Sequence, residues 1–458
     1  MAFNDYFDEK MYKLQGTEEV KKIQQEKLIS RLNSSFNGNE FFREYCNDKG
    51  IKDISSIKTI DDFKKAFPTV SEPRSAMAEM MGKIWKGTLP DTIAYLSGLS
   101  KKEYTLMCAT SGTTGVPTPY FFTEEDLRIM AKGMSRGFWM CGIMPGETVV
   151  HALALSMFGA GIPMVETLIR LGITVIPVGA EGGKEKLFSF SEMFGPTVIF
   201  CTPSYAEHLI DVEPERTKAL NFKRVLCGGE PGAGIPEVRK KIQDGFGCPL
   251  TDAMGLIGGM CLISCDLEEY AGMHHLSDDI ILFELVDPDT KEPIPFEDGA
   301  VGEFMITALE GNPLGMLPRV SAGDVIQVST EPCKCGNPGW RLKVQGRTDD
   351  MLKVKGVIVY PSHIDGVITG FVPRVTGEFR IVLDTPPPRV EPPLKLKVEY
   401  GEGVKKEELD NLAKEIGEVM HSKLRIRPQI EWLAPMTLER SEMKTRFIEK
   451  AYEKRKED

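Results

Sequence analysis

The chain has 458 residues, 41% hydrophobic and 27% charged, a balance expected of a soluble globular protein too long for one ordinary core. A formal net charge of -11 argues against nucleic acid as a main partner, because neutralising phosphates takes clustered Lys and Arg. No apolar run of about 18 residues marks a membrane span, and Met1–Leu14 lacks a signal peptide's apolar stretch. The ten scattered cysteines fit a reducing compartment rather than a disulfide framework. A cytoplasmic protein with neither membrane nor nucleic-acid partner is expected.

Residues Thr17 to about Met77 read as helices with short turns, with helical apolar spacing over Lys21–Leu32 and Thr59–Ala66. An apolar run, Tyr104–Ala109, leads into Thr110-Ser-Gly-Thr-Thr-Gly-Val-Pro117 and then an extended segment, Thr118–Phe122. Thr123, with Asp126 three residues later, predicts a capped helix running to about Cys141. Extended and helical pieces then alternate. Glu147–Leu155 is extended, Gly161–Leu171 helical and Thr174–Val178 a short strand. Lys184–Phe194 is helical, Val198–Cys201 a strand, Tyr205–Val212 a helix, and Arg224–Cys227 a strand ending at Gly228-Gly229-Glu230-Pro231. Such alternation predicts an α/β fold whose sheet has parallel character and helices on its faces, with ligands beyond the carboxyl ends of the strands. Strands and turns dominate Ile280–Gln327. After Gly346 a smaller α+β unit is expected, with strands at Arg380–Leu383 and Leu394–Tyr400, a Pro-rich joint at Pro386–Pro393 and a helix at Lys405–Leu424.

The Thr110–Pro117 segment carries the strongest chemical signal. Glycine allows sharp turns and close backbone approach, and successive amides with the hydroxyls of Ser111, Thr113 and Thr114 suit a polyphosphate. No Lys-Ser/Thr follows the second glycine, so this is not the Walker pattern. A flexible Ser/Thr/Gly turn is the plain alternative. Four further segments follow in order: Gly228-Gly229-Glu230-Pro231, Asp252-Ala253-Met254-Gly255-Leu256, Gly323-Asp324, and Gly346-Arg-Thr-Asp-Asp-Met-Leu-Lys-Val-Lys-Gly356. With these the chain resembles the adenylate-forming superfamily, and within it the phenylacetate–CoA ligase group. The Ser-Gly-Thr-Thr-Gly-x-Pro-Thr loop, the Gly-Arg-x-Asp-Asp-Met-Leu run and Arg440-Ser441-Glu442-x-Lys444 match that group specifically. The resemblance spans essentially the whole chain.

The resemblance implies a large N-terminal ATP- and acyl-binding domain, residues 1–348, and a small mobile C-terminal lid, residues 349–458. The implied reaction is ATP-dependent and AMP-forming: a carboxylate becomes an acyl-adenylate, then a coenzyme A thioester. Ser111, Gly112, Thr113, Thr114 and Gly115 would hold the β- and γ-phosphates, with the adenine near Gly229, Glu230, Pro231, Asp252, Ala253, Met254 and Gly255. Asp324 would accept the ribose hydroxyls, and Arg347 would lie beside the ribose or phosphate. Lys444 would bridge substrate carboxylate and α-phosphate; Lys450 is its decoy in a Lys-rich tail. Asp349 or Asp350 would be the hinge, and Lys355 and Gly356 would lie near the pantetheine of coenzyme A.

Two departures bear on the nucleotide. Ile257-Gly258 stands where the family has Ser/Thr-Glu, the glutamate that helps hold Mg²⁺, and Met254 replaces the usual tyrosine. Mg²⁺ would then be held by phosphate oxygens, water and another residue, or adenylation is slowed, or Gly258 and Gly259 open space for an unusual acyl group. Phe158, Gly159, Tyr205, Gly258 and Gly259 are the implied acyl pocket, with core packing an equal account of Phe158. Cys333-x-Cys335 forms a knuckle with Gly336, and Cys265 and His274 lie upstream. Three thiolates and an imidazole suit tetrahedral Zn²⁺; His275 could replace His274, and Cys261 is a spare. The partner is a small-molecule carboxylic acid, aromatic or arylacetic, with a branched or hydroxylated aliphatic acid as rival. A homodimer, a nucleotide-binding pseudoenzyme and an acceptor other than coenzyme A stay open.

Overall fold

The computed structural model describes residues 3–70, 95–100, 102–109, 119–256, 260–311, 317–348, 350–438 and 447–454. The organising element is a 12-stranded mixed sheet. One half is parallel, in the spatial order Thr174–Pro177, Thr148–His151, Val198–Cys201, Arg224–Gly228, Leu250–Leu256. At Met260–Ser264 the direction reverses. The remaining strands, Met273–His275, Arg341–Arg347, Val320–Ser329, Val301–Ala308, Ile281–Val286 and Pro293–Ile294, continue antiparallel.

Alternation along each parallel strand builds two cores, because successive side chains face opposite sides of the sheet. Val149, Val198 and Leu226 face one way, onto Phe138, Met164 and Leu168 of helices Glu124–Cys141 and Ile162–Arg170. Val150, Ile199 and Val225 face the other, onto Leu187, Leu209 and Ile242 of helices Gly183–Phe194, Pro203–Val212 and Pro236–Phe246. The expected capping box is present: Thr123 accepts from the Asp126 amide, and Asp126 accepts from that of Thr123. Gly142, in the left-handed region, closes the same helix.

The small unit has its own core. Strands Val375–Leu383 and Leu394–Tyr400 centre a four-stranded sheet covered by helices Pro361–Thr369 and Leu409–Leu424, through Ile364, Ile368, Ile416 and Met420. Two expected elements are shorter than the sequence suggests. The strand within Glu147–Leu155 stops at His151, because the amides of Leu155 and Ser156 donate to the Glu181 carboxylate at 3.0–3.1 Å instead of to a neighbouring strand. The helix expected from Lys405 starts at Leu409, after a 3₁₀ turn. Among the described residues no helix is long and apolar enough to cross a membrane.

An ion pair ties helix Glu124–Cys141 to the turn before strand Ile281–Val286. Arg136 and Asp279, both with fully buried side chains, pair through both guanidinium arms, and Lys132 lies 3.2 Å from the same carboxylate. Beside it, Asp278 accepts from the Gly16 amide and its own amide donates to Gln15, both at 2.7 Å. Burial pushes the Asp279 pKa up, but the bonds and charge of Arg136, with Lys132 and Lys27, outweigh it and hold the group well below the usual carboxylate range. A depressed folded-state pKa gives stability that is present above the unfolded value, about 4, and lost as pH falls through the folded one. Arg136→Met should therefore cost about 3 kcal/mol at neutral pH. It should also flatten the acid side of a plot of thermal midpoint against pH; an unchanged acid slope would remove the assigned role.

Candidate active site

The loops leaving the carboxyl ends of the parallel strands converge on one cavity of about 1230 Å³. Residues 152–160 leave strand Thr148–His151, Thr202 follows Val198–Cys201, residues 228–232 follow Arg224–Gly228, and Asp252–Gly255 close the row. Two of these loops are pinned. Glu181 holds the first, as above, and burial of its carboxylate is outweighed by those backbone donors, so its pKa lies below normal. His151, fully buried, bonds the Ala160 carbonyl through Nε2 at 2.8 Å. Burial pushes its pKa down to about 4, so at neutral pH Nε2 is the N–H donor to that carbonyl. Gly229 has φ +90°, a left-handed conformation that lets its loop turn into the cavity. Glu230 in the same loop accepts from the Ser204 amide at 2.9 Å.

The opposite wall comes from the antiparallel half. Asp324 and Arg347 face each other across strands Val320–Ser329 and Arg341–Arg347, with Nη1 3.4 Å from Oδ1. A Cβ at Gly323 would sit 2.8 Å from the Arg347 guanidinium, so glycine is what lets the arginine lie there. Asp252 is buried, which raises its pKa; the Tyr270 hydroxyl, donating to Oδ2 at 2.6 Å, and the charge of Arg239 act the other way. Lys343, His363, Lys423 and Arg425 add cationic or titratable groups to the wall, alongside the carboxylates of Glu230, Glu237, Asp252 and Asp324. His363, Lys423 and Arg425 belong to the small unit, so both parts of the chain build the cavity.

Of the residues expected at the site, Phe158, Gly159, Gly229, Glu230, Pro231, Asp252, Ala253, Met254, Gly255, Asp324 and Arg347 share this cavity. Tyr205 does not. It is buried between Leu187, Leu209 and Ile242 in the core behind the wall, so packing explains it and the acyl-pocket expectation is corrected. Lys355 and Gly356 form an exposed turn, with φ of 49° and 83°, that is not itself on the wall but leads directly to Val357 and Ile358, which are. Asp350 follows directly on the last strand of the large sheet, its amide donating to the Arg347 carbonyl at 3.3 Å. Ser111, Gly112, Thr113, Thr114, Gly115, Gly258, Gly259, Asp349 and Lys444 lie outside the described residues. Ala109, just before the Gly/Thr segment, is on the cavity wall. His151, Glu181, Tyr270 and Lys343 were not foreseen; no motif surrounds them, and only the folded loops bring them to the site.

Cys265, His274, Cys333 and Cys335 come together with their ligand atoms all within 4.8 Å of one another. Cys265 and Cys333 sulfurs are 3.9 Å apart, and Cys335 sulfur is 3.4 Å from His274 Nε2. Two thiolates at about 2.3 Å from a tetrahedral zinc would be about 3.8 Å apart, so the donor set and spacing fit that ion. The other ring nitrogen of His274 bonds the Pro338 carbonyl at 2.8 Å, which fixes the ring. His275 points elsewhere, to Asp278 and against Phe283 and Trp340, and Cys261 packs in the core against Gly137.

Family models match both parts of the chain: "AMP-binding enzyme" over residues 47–308 and "AMP-binding enzyme C-terminal domain" over residues 356–450. The chain belongs to the AMP-binding enzyme family. It is 31% identical over 392 residues to a phenylacetate-coenzyme A ligase of Thermus thermophilus, covering 83% of this chain and 82% of that one. Among solved structures, a 2-hydroxyisobutyryl-CoA ligase in its postadenylation state with 2-HIB-AMP is similar at 25% identity, TM-score 0.84, over 98% of this chain and 93% of that one. The same ligase in its thioesterification state, with 2-HIB-AMP and CoA, gives TM-score 0.65 at 26% identity over 94% and 90%. Identity hardly differs between the two, so the drop reflects how the parts are arranged. This AMP-binding enzyme is thus more similar overall to the postadenylation form of that ligase than to its thioesterification form.

The joint between its two parts is close-packed. A Cβ at Gly346 would lie 2.2 Å from the Tyr360 ring, and Tyr360 with Met351 and Val325 forms a small apolar cluster between them. Gly346→Ala should push Tyr360 out and destabilise the seating of the small domain by about 1–3 kcal/mol. Faster limited proteolysis between residues 348 and 360 is the expected result; wild-type cleavage kinetics would count against this role for the glycine.

Proposed function

We propose that this AMP-binding enzyme is an ATP-dependent, AMP-forming carboxylate–CoA ligase for an aromatic or arylacetic acid. The carrying observation is the division of one cavity into unlike walls. Asp252, Asp324, Lys343 and Arg347 supply acceptors and cations for a nucleotide, while Phe122, Met130, Met134, Phe158 and Met164 supply hydrocarbon and thioether for an acyl group. An apolar wall stabilises a ring and gives an acid's hydroxyl no partner. A small hydroxy acid is the second reading, favoured by the likeness to the 2-hydroxyisobutyryl-CoA ligase.

A carboxylate is a poor acyl donor, and the proposed chemistry removes that obstacle in two displacements. The acid's oxygen attacks the α-phosphorus of ATP and pyrophosphate leaves; the thiol of coenzyme A then attacks the acyl carbon and AMP leaves. Charge accumulates on phosphate oxygens in the first, so fixed donors at those positions lower the barrier. We assign that work to the amides and hydroxyls of Ser111–Gly115, to Arg347 and to Lys444. Asp324 takes the ribose hydroxyls. With glycine at 258, Mg²⁺ would depend on the triphosphate oxygens and water. The division into residues 1–348 and 349–458, hinged at Asp349 or Asp350, is supported by the end of the large sheet at Arg347 and the separate core beyond Leu352. Turning of the small domain would bring Lys355 and Gly356 to the pantetheine. Zn²⁺ held by Cys265, His274, Cys333 and Cys335 would cross-link the turns around the nucleotide wall. All ten cysteines are free of disulfides, which supports a cytoplasmic setting.

Pyrophosphate release over a panel of acids tests the reading. Phenylacetate or benzoate analogues should outpace 2-hydroxyisobutyrate, with thioester formed only when coenzyme A is added. No release with any acid would mean a nucleotide-binding protein without turnover. Lys444→Ala should lower adenylation at least about 100-fold, the scale of one lost electrostatic group, while ATP binding persists; unimpaired adenylation would reassign the lysine. Elemental analysis should find one zinc per chain, lost in Cys333→Ser, whereas a metal-free wild type would exclude the site.

A further inference from the structure

Tyr270 is the least expected side chain on the nucleotide wall, and its surroundings are built to hold it. It lies in the loop between strands Met260–Ser264 and Met273–His275, with Cys265 at the start of that loop and His274 just past its end. Its hydroxyl donates to Asp252 Oδ2 at 2.6 Å. The Arg239 guanidinium lies 5.2 Å from its ring centroid and the Lys343 ammonium 5.7 Å. Arg239 is itself fixed, donating to the carbonyls of Ala233 at 3.1 Å and Leu250 at 2.6 Å. A Cβ at Gly234 would sit 3.0 Å from the ring edge and hydroxyl, so glycine there makes room for the phenol. Asp252 is held from its backbone too, its amide donating to Ser264 Oγ at 2.8 Å.

This leaves Asp252 with one oxygen engaged. Oδ1 has no protein partner among the described residues, and the side chain is part of the cavity wall. Adenine presents an exocyclic amine to one acceptor; guanine presents a carbonyl oxygen on the same edge. Guanine can instead use its N1–H and N2–H₂ as a fork, which needs both oxygens of a carboxylate, in the way a guanidinium does. We propose that Tyr270 is a positioning residue that makes the nucleotide site select adenine over guanine, by covering Oδ2 so that Asp252 offers a single acceptor. The inference rests on the adenylating function proposed above, with the base against Asp252.

The test compares ATP and GTP binding by calorimetry, and their kcat/KM for pyrophosphate release, in wild type and Tyr270→Phe. The phenylalanine keeps the ring, its cations and its fit against Gly234, and removes only the hydroxyl. Wild type should prefer ATP. Tyr270→Phe should narrow the ATP:GTP ratio at least about tenfold, the equivalent of 1.4 kcal/mol, with gain in GTP binding contributing to the change. A merely structural tyrosine would weaken both nucleotides equally and leave the ratio fixed. An unchanged ratio, or a wild type that does not discriminate, overturns the inference and leaves the ligase reading intact. A wild type that binds neither nucleotide overturns the ligase reading itself.

Discussion

Everything at this site depends on the reversal of strand direction between Leu250–Leu256 and Met260–Ser264. Parallel neighbours cannot be joined by hairpins, so each strand followed by another parallel one must end in a loop at the same sheet edge and return through a helix. Four such strands deliver their loops to the place where the fifth, Leu250–Leu256, ends. Beyond the reversal the chain runs up and down, and strands Val320–Ser329 and Arg341–Arg347 bring Asp324 and Arg347 together as register partners. The cavity sits where these two regimes meet. Its apolar wall comes chiefly from the parallel half and the helices upon it, while Asp324, Lys343 and Arg347 come from the antiparallel half.

The parallel half was readable from sequence because its strands are short apolar runs punctuated by Gly and Pro, and its helices are capped by recognisable residues. Thr123 with Asp126 is the clearest case, since both halves of the capping box form. The end of strand Thr148–His151 was not readable. Leu153 and Leu155 continue the apolar pattern, and only the distant Glu181 carboxylate, competing for the amides of Leu155 and Ser156, turns them into a loop. Tyr205, which the resemblance implies for the acyl pocket, is packed in the core with Leu187, Leu209 and Ile242. The motif glycines and acids are legible by their order, whereas Tyr270 acts through Asp252 and Arg239, elsewhere in the chain, and carries no local pattern.

Choosing between His274 and His275 shows what geometry adds to composition. Adjacent residues on a strand face opposite sides, so the two cannot both reach Cys333 and Cys335. Strand pairing of His274 with Arg341 sets its ring toward the knuckle and sends His275 into the aromatic cluster of Phe283 and Trp340. That cluster adjoins Asp278, the partner of Gln15 and Gly16. The cysteine knuckle, the N-terminal helices and the Arg136–Asp279 pair are thus consecutive parts of one supporting structure behind the antiparallel wall.

The small domain completes the cavity rather than merely adjoining it, since His363, Lys423 and Arg425 are on its wall. These groups come from a unit with its own core and its own sheets, so no strand of the large sheet carries them. Lys423 pairs with Glu237 across the joint at 3.4 Å, both partly exposed, a contact that contributes little free energy. The apolar contact of Tyr360 with Met351 and Val325 is also small. The Lys353–Asp289 pair at 2.7–2.8 Å and the Ser362 hydroxyl on the Gln345 carbonyl at 2.9 Å add to the joint, so local side-chain contacts, not shared strands, connect the two parts. Asp324, Lys343 and Arg347 belong to the sheet, whereas His363, Lys423 and Arg425 belong to the small domain.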